Sequence, residues 1–212
     1  MSEPIDRRTR KRLATRQAIS NAATRLFWER GFEAVTVDDI AEAADVGRMT
    51  VFNHFPRKED MFFDREEEGR EVLRSALRDG DGATTPIEAL RQLAHRLVAE
   101  RAPYVVFSPE SQNFVRTIEA SETLKARARA IRDELAEVVA SALAETAGRA
   151  SGDPDARLAA ALLLAVWSTA FAEAHRIFRQ TGDAEDASSA LLGIVDQGTV
   201  GVLAAMAGTP YC

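Results

Sequence analysis

The sequence predicts an all-α protein of about nine helices. Nearly every apolar segment has the i, i+3, i+4, i+7 spacing of a helix, and no alternating run is long enough for a convincing strand. Glycine, proline and capping residues fall between these segments, where helices are expected to begin and end. We therefore expect three closely connected N-terminal helices followed by a larger helical body.

The ends of the first three helices are well marked. The first helix is expected from about residue 12 to Gly31, a typical stop residue. Its apolar stripe consists of Ile19, Ala22, Ala23, Leu26 and Phe27. Thr36 and Asp39 have the spacing of a capping box and open a short second helix. Gly47 lies in the turn to a third short helix, which ends before Pro56 because proline restricts the residue preceding it.

The remaining sequence predicts about six more helices and one linker. The fourth helix is expected over residues 58–78, and the Gly/Asp stretch at 79–83 is the best linker candidate in the chain. The later helices are expected over about 85–98, 112–120, 122–147, 153–180 and 184–207. We place a domain boundary after residue 57, which gives an N-terminal domain of residues 1–57 and a second domain of residues 58–212.

Charge is unevenly distributed along the chain. The formal net charge is -6, yet residues 1–30 contain eight basic and three acidic residues, whereas residues 61–212 contain 16 basic and 23 acidic residues. This asymmetry favours a basic end that binds nucleic acid, although a solvated basic tail explains charge alone equally well. The lone cysteine, Cys212, excludes an intrachain disulfide, and the apolar run Leu158–Ala172 is too short to span a bilayer. With a polar N-terminus that shows no signal segment, a cytoplasmic protein without a membrane partner is expected.

Residues 46–60 combine apolar, aromatic and basic side chains in one short segment. At 100° per residue, Val51 and Phe55 share a face that should pack on the second helix, against Ile40, Ala41 and Ala44. Met49, Thr50 and Asn53 point the opposite way, and Phe52 and His54 lie on the flanks. Two short helices joined by a tight turn and supported by a longer helix form a helix-turn-helix, whose second helix enters the major groove of DNA.

The segment TVDDIAEAADVGRMTVFNHFPRKEDMF resembles the helix-turn-helix of the tetracycline repressor-like (TetR/AcrR) family of transcription regulators. The resemblance covers residues 12–63 in detail, and beyond them only the plan of a larger, variable helical domain is similar. It implies that Thr36 caps the second helix and meets a phosphate, and that Lys58 holds another phosphate. The DNA-facing surface that it implies consists of Arg48, Met49, Thr50, Phe52, Asn53 and His54.

Three positions depart from the family pattern. Gly47 replaces a frequent Ser and Phe52 replaces a common Tyr, which removes two hydroxyl groups that could contact phosphates, and Arg57 replaces a frequent capping Ser. Phosphate binding should therefore depend more on Arg and Lys, including the tail Arg7–Arg12, which could lie along the DNA backbone or in the adjacent minor groove.

Asn53 and Arg48 are the best candidates for base readout. Asn can pair bidentately with adenine and Arg with guanine, each pair contributing about 1 to 3 kcal/mol of discrimination. Met49 could cover a thymine methyl group without discriminating. Phe52 either faces DNA or is half-buried, and the sequence leaves both open.

The last two predicted helices indicate a homodimer. The segment Leu158–Ala172 is apolar almost all round and needs cover on more than one side. Gly193, Gly198 and Gly201 each cost the last helix about 1 kcal/mol relative to Ala, which close approach of another helix would offset. The expected contact stripe is Ala190, Ile194, Gly198, Val202 and Ala205. We expect a four-helix interface with a second copy, as the resemblance also implies, with a purely intrachain core as the alternative. Such a dimer would read a palindromic operator with half-sites about 34 Å apart.

Six side chains are candidates for a small-molecule site. Trp167, Phe171 and His175 share one helix face, a pattern more often found in a core than in a pocket. The resemblance implies an effector site between this helix and the middle helices, with Tyr104, Phe107 and Phe114 as the opposite wall and His95 or His175 as a polar contact. The expected effector is apolar or aromatic, and its binding would release the protein from DNA.

Two other function classes are alternatives to a DNA-binding regulator. An α-helical enzyme or metalloprotein has little support, because the three histidines are isolated and no paired Cys or His, phosphate-binding Gly loop or nucleophile motif is present. We therefore expect no catalytic residue, metal or cofactor. A helical adaptor without DNA binding is the other alternative, which the Gly47 and Phe52 departures permit. Repression is the commoner mode of the family that the chain resembles.

Overall fold

The computed structural model describes residues 6–78 and 84–211. Within these ranges the chain forms ten α-helices and one short 3-10 helix and contains no strand, so the predicted all-α fold class is confirmed. The linker predicted at 79–83 lies outside the described residues, as do residues 1–5 and Cys212.

The helices agree with the predicted order and are one more in number than predicted. In chain order they are α1 (Arg7–Arg30), α2 (Val37–Ala43), α3 (Arg48–His54), α4 (Lys58–Phe62), α5 (Glu66–Arg78), α6 (Pro86–Ala99), α7 (Pro109–Ala120), α8 (Glu122–Thr146), α9 (Pro154–Thr181) and α10 (Ala184–Ala205). The 3-10 helix Pro103–Val105 lies between α6 and α7. The additional helix arises because the predicted helix 58–78 is interrupted at Phe63, whose φ of -99° and ψ of 39° are not helical.

The first helix begins earlier than expected. Asp6 is its N-cap, and its carboxylate accepts hydrogen bonds from the backbone N–H groups of Arg8 and Thr9. Residues 7–12, expected as a tail, therefore form the first turns of α1. No residue of α1 before Ile19 is buried, so these turns extend beyond the packed part of the helix.

The described residues divide into two compact units, one within residues 1–66 and 115–127 and the other within residues 67–114 and 128–212. The predicted boundary after residue 57 differs from this division, because α4 belongs to the core of the first unit. Met61 and Phe62 are buried, and the Phe62 ring lies 6.0 Å from that of Phe27 and 6.2 Å from that of Phe32. Aromatic packing therefore places the end of the first unit after α4.

The second unit is built around the pair α9 and α10, with α6 packed on α10. Gly198 allows the close approach of α10 to α9, because a Cβ atom there would overlap with the Val166 side chain. Val202, one turn further, is also buried within the chain. The stripe expected to contact a second copy is thus directed, at these two positions, towards the chain's own core. The expected contact with a second copy is therefore wrong at Gly198 and Val202. Sequence periodicity shows which residues share a face, but not which helix covers that face.

α9 and α10 are long and apolar enough to cross a membrane, judged by length and composition alone. The expectation that no segment is long enough to span a bilayer is based on the run Leu158–Ala172 alone, and the full lengths of α9 and α10 correct it. In the most apolar 18-residue window of each helix, 33% and 28% of the residues are buried in the chain. Core helices of soluble proteins pass the same test, so the observation is weak support for a membrane. Among the described residues of these two helices, Leu158 and Val200 are the large apolar side chains that remain exposed.

Candidate functional site

The start of α2 is fixed by a capping box. The Asp39 backbone N–H donates to Thr36 Oγ1 at 3.1 Å, and the Thr36 backbone N–H donates to Asp39 Oδ2 at 2.8 Å. The hydrogen bond from the Thr36 hydroxyl, and then that from its backbone N–H, lower the pKa of Asp39. The predicted cap is therefore present. Because the Thr36 hydroxyl donates to Asp39, a phosphate could use that proton only by displacing the carboxylate.

The orientation of α3 is fixed from its buried side. Val51 and Phe55 have 0% exposure, as does Ile40 of α2. On α1, the Arg16 guanidinium lies over the Phe55 ring at 3.9 Å, and its Nη1 donates to the carbonyl oxygen of His54 at 2.6 Å. A guanidinium so placed caps the C-terminal end of α3.

The opposite side of α3 is open to solvent. Met49 is 70% exposed, Asn53 is exposed, and Thr50 and His54 are half-buried. Gly47 precedes the helix without a side-chain cap. The geometry thus presents a short helix with one buried edge and a solvent-exposed outer surface, which is the form required for entry into the major groove.

Arg48, the first residue of α3, contacts two residues of the same surface. Its Nη1 lies 2.7 Å from Asp38 Oδ2 on α2, and its Cζ lies 5.5 Å from the centroid of the Phe52 ring. Phe52 is half-buried, which agrees with its expected position on the flank, and its ring supports the Arg48 guanidinium at the surface. Asp38 could not be predicted from the sequence, since spacing along the chain does not reveal a partner ten residues away on another helix.

Lys58 is held by the backbone of the first unit. Its Nζ donates to the carbonyl oxygens of Phe32 at 2.9 Å and Val35 at 3.0 Å, and lies 4.2 Å from the Phe32 ring centroid. Two of the three ammonium protons are used in this way. The lysine therefore secures the connection between α1 and α2, and its predicted phosphate contact would have to use the third proton.

Three arginines form a basic row on α1, and the last of them, Arg16, contacts the C-terminal end of α3. Arg8, Arg12 and Arg16 follow one another at intervals of four residues and therefore share one face of the helix. Burial, followed by the positive charges of Arg12 and Arg16, lowers the pKa of His54. The row is thus close enough to the recognition surface to act electrostatically on it.

The six candidate ligand residues all belong to the second unit. The Phe107 ring packs edge-on against His175, with centroids 5.1 Å apart, and the Trp167 and Phe171 rings are 6.1 Å apart. Phe107 is buried, and Phe114, Trp167 and Phe171 are half-buried. Tyr104 lies against α5, where a Cβ atom added to Gly69 would be 3.8 Å from its Cε1.

Gln112 of α7, which sequence analysis missed, is the most informative polar group near these aromatic residues. It is 8% exposed, and its Nε2 donates to the carbonyl oxygen of His175 at 2.8 Å and lies 3.1 Å from His175 Nδ1. The carbonyl fixes the orientation of the amide, because only the NH₂ group can donate to it. Among the described residues, Gln112 Oε1 has no hydrogen-bond partner, and a buried acceptor of this kind favours a donor from a ligand or water.

His95 is engaged elsewhere, which disfavours its predicted role as the polar contact of a ligand. Its Nε2 lies 2.8 Å from Asp196 Oδ1 on α10, to which Arg91 Nη1 also donates at 3.0 Å. The hydrogen bond with His95, and then that from Arg91, lower the pKa of Asp196. This cluster joins α6 to α10.

A surface cleft of about 540 Å³ lies between α8 and α9. It is lined by Asp133, Ala136, Glu137 and Ala140 of α8 and by Pro154, Arg157, Leu158 and Ala161 of α9. None of the six predicted ligand residues lines this cleft. Within the described residues, no group of three or more His, Cys, Asp or Glu side chains could hold a metal ion.

Comparison with known proteins gives a consistent family signal. Residues 19–64 match the family described as bacterial regulatory proteins, tetR family. The HTH-type transcriptional regulator TcmR of Streptomyces glaucescens is 34% identical over 83 residues, which are 39% of this chain and 37% of TcmR. The MftR regulator of Mycobacterium tuberculosis, named as a mycofactocin biosynthesis transcriptional regulator, is 45% identical over 49 residues, 23% of this chain and 25% of MftR. The chain thus spans less than half the length of the curated relatives it matches.

Structural similarity extends over nearly the whole chain. SmeT in complex with triclosan has a TM-score of 0.57 at 20% identity, covering 91% of each chain, and SmeT is the repressor of a multidrug efflux pump of Stenotrophomonas maltophilia. FadR of Thermus thermophilus in complex with lauroyl-CoA has a TM-score of 0.52 at 23% identity, covering 89% of this chain and 93% of FadR. At these identities the likeness establishes a shared fold.

Proposed function

The chain belongs to the tetR family of bacterial regulatory proteins, and from that premise we propose that it is a DNA-binding transcriptional repressor controlled by a small molecule. The observation that carries the proposal is α3, which exposes Asn53 and Met49 while Val51 and Phe55 fix its inner edge. The comparisons lend no support to an adaptor that has lost DNA binding.

DNA contacts are proposed for two parts of the first unit. Arg48 and Asn53 read base edges in the major groove, with Met49, Thr50, Phe52 and His54 completing the contact surface. Phosphates are bound by Arg8 and Arg12 of the basic row on α1, and by the third ammonium proton of Lys58 where the DNA backbone comes within reach. Thr36 joins them if the phosphate replaces Asp39 as the acceptor of its hydroxyl proton.

We propose a homodimer through the outer faces of α9 and α10. The outer face is defined as Leu158, Ala161, Ala165, Thr169 and Ala172 of α9 with Gly193, Gln197, Val200, Gly201 and Ala204 of α10. Leu158 is 50% and Val200 68% exposed, and among the described residues nothing beyond the adjoining backbone of α10 would lie within 4 Å of a Cβ added at Gly193 or Gly201. Small and apolar side chains on an open face suit close packing against the same face of a second copy. Two copies would then present two recognition helices to a palindromic operator.

The effector is proposed to bind at the aromatic residues near Gln112, with Tyr104, Phe107, Phe114, Trp167, Phe171 and His175 as lining candidates. A compound with an aromatic or apolar body and one hydrogen-bond donor fits this group of residues. The aromatic rings would contact the body, while the unpaired Oε1 of Gln112 would accept from the donor. SmeT with triclosan and FadR with lauroyl-CoA are relatives in fold that bind molecules with large apolar parts.

Selection of bound fragments from genomic DNA tests the DNA-binding function. We expect a palindromic consensus, a salt-dependent Kd and a stoichiometry of two chains per site. Asn53→Ala should weaken discrimination at one base pair of each half-site by about 1 to 3 kcal/mol. Gln180→Ala, which removes an exposed amide at the end of α9, is the matched control and should bind like the wild type. Recovery of random fragments with no consensus would refute the proposal.

A pair of related compounds tests the effector site. A hydroxylated aromatic such as 2-naphthol should raise the melting temperature and release the operator more effectively than its methyl ether, which lacks the donor. Gln112→Leu should remove the difference between the two compounds, because it replaces the amide, and with it the acceptor, by an apolar side chain of similar size. Equal discrimination by the wild type and Gln112→Leu would show that the amide does not contact the ligand.

A further inference from the structure

Asp38 and Arg48 form an ion pair on the surface that the proposed function assigns to DNA. The distance from Arg48 Nη1 to Asp38 Oδ2 is 2.7 Å, and the two side chains are 59% and 63% exposed. Exposed pairs of this kind contribute little to folding stability. A carboxylate is also unfavourable beside the phosphates of a bound duplex. In the first turn of α2, Asp38 interacts favourably with the helix dipole, but only weakly at an exposed site, which leaves room for a further role of this acid.

The pair holds the guanidinium in a defined place. Asp38 fixes one end through Nη1, and the Phe52 ring, 5.5 Å from Cζ, supports the group from the side. A guanidinium has five N–H donors, and those not used by Asp38 remain available for the two acceptors of a guanine edge. A long side chain that is already ordered loses less conformational freedom on binding a base.

We propose that Asp38 is a positioning residue that determines specificity by holding Arg48 in the orientation that reads one guanine. This inference rests on the proposed DNA-binding function. The negative charge of Asp38 also increases specificity, because DNA phosphates repel it. At sites where Arg48 contacts no guanine, nothing offsets this repulsion and binding is weaker. Asp38 thus lowers the affinity for unrelated DNA while it improves the contact with the operator.

The test uses the selected operator and a set of duplexes that replace each base pair of one half-site in turn. Arg48→Gln identifies the base pair that Arg48 reads. We expect Asp38→Asn to reduce discrimination at that same base pair by about 3- to 10-fold, part of the effect of a full bidentate contact, and to strengthen binding to unrelated DNA. In the Arg48→Gln background, Asp38→Asn should cause no further loss of discrimination, because both changes act through one contact. Asp38→Glu, which restores the carboxylate, should recover part of the preference.

Asp45→Asn is the matched control for charge. Asp45 is an exposed acid in the turn between α2 and α3 with a φ of 53°, a conformation that Asn adopts readily. It should raise the affinity for all duplexes without changing the base preference. Melting curves should coincide for all variants, and Arg48→Lys, which keeps the charge but loses the planar fork, gives a second measure of the same contact.

The results separate the inference from the proposed function. A wild-type protein without sequence-specific binding would refute the function itself. If the wild type is specific, three results overturn the role of Asp38: unchanged discrimination in Asp38→Asn, a loss at a different base pair from Arg48→Gln, or the same loss in Asp45→Asn. The second result would mean that Asp38 reads a base directly.

Discussion

Gly198 of α10 faces Val166 of α9 so closely that a Cβ atom at position 198 would overlap with both methyl groups of the valine. Gly198→Ala should therefore destabilise the protein by about 1 to 3 kcal/mol, although Ala is the better helix former. Gly69→Ala in α5 is the matched control, because the added Cβ would lie 3.8 Å from Tyr104 Cε1, an ordinary van der Waals contact, and position 69 lies outside the proposed interface. Urea unfolding at fixed protein concentration should give a lower midpoint for Gly198→Ala, and equal midpoints would contradict the close approach.

The outer face of α9 and α10 should control assembly. Val200→Arg places a charge on an apolar face that the proposed dimer buries twice, and should weaken self-association by at least about 100-fold. Analytical ultracentrifugation should show a dimeric wild type and a monomeric variant. Ser151→Arg, in the exposed turn before α9, adds the same charge and should leave the dimer intact. A variant that dimerises like the wild type would place the interface elsewhere.

Sequence patterns predicted the parts of this fold that depend on local chemistry. Gly31 and the Thr36–Asp39 box marked helix ends, and the spacing of Val51 and Phe55 gave the buried edge of α3. What they missed depends on contacts between distant segments. The sequence around Phe62 and Phe63 is compatible with one continuous helix. The break after α4 coincides with ring packing in the folded chain, where Phe62 contacts Phe27 and Phe63.

The candidate site divides in the same way. The outward residues of α3 could be identified from their angular positions, because a helix has a fixed period. The pairing of Asp38 with Arg48, and of Gln112 with His175 across 63 residues, requires tertiary geometry. The same holds for Lys58, which was predicted as a phosphate ligand and donates to two carbonyl groups of its own chain.

Lys58 should contribute to the stability of the first unit. Lys58→Met keeps an apolar stem but removes the donors to Phe32 and Val35, so we expect a loss of about 1 to 3 kcal/mol in the free energy of unfolding. Lys125→Met is the matched control, since Lys125 makes an exposed pair with Glu122 and should contribute little. Chemical unfolding of both variants decides the matter, and equal stabilities would show that the two carbonyl contacts are energetically unimportant.

His54 should make DNA binding depend on pH. Burial and the charges of Arg12 and Arg16 hold its pKa below the usual 6.5, so the ring is mostly neutral at pH 7 in the free protein. Nearby phosphates would favour the protonated ring and raise its pKa in the complex. At any pH between the pKa of His54 in the free protein and its pKa in the complex, DNA binding therefore takes up a proton. Affinity should therefore increase as the pH falls from about 7 to about 5.5.

His54→Gln should flatten this dependence. His95→Gln serves as the control, because His95 lies in the second unit and pairs with Asp196. Fluorescence anisotropy with a labelled operator measures Kd at each pH. An unchanged slope in His54→Gln, or affinity that falls with decreasing pH in the wild type, would contradict a phosphate beside this ring.

The first turns of α1 should bind phosphates as a rigid helix. Arg8 lies eight residues before Arg16, so the basic row extends about 12 Å along the helix axis, the length of roughly three base-pair steps. Arg8→Gln with Arg12→Gln removes two charges, while Gln remains a good helix former. The slope of log Kd against log salt should become shallower by about two, with base preferences unchanged. Arg129→Gln with Arg132→Gln removes two charges from the exposed side of α8 and should leave the slope as in the wild type. If both double variants keep the wild-type slope, the extension of α1 makes no contact with the duplex.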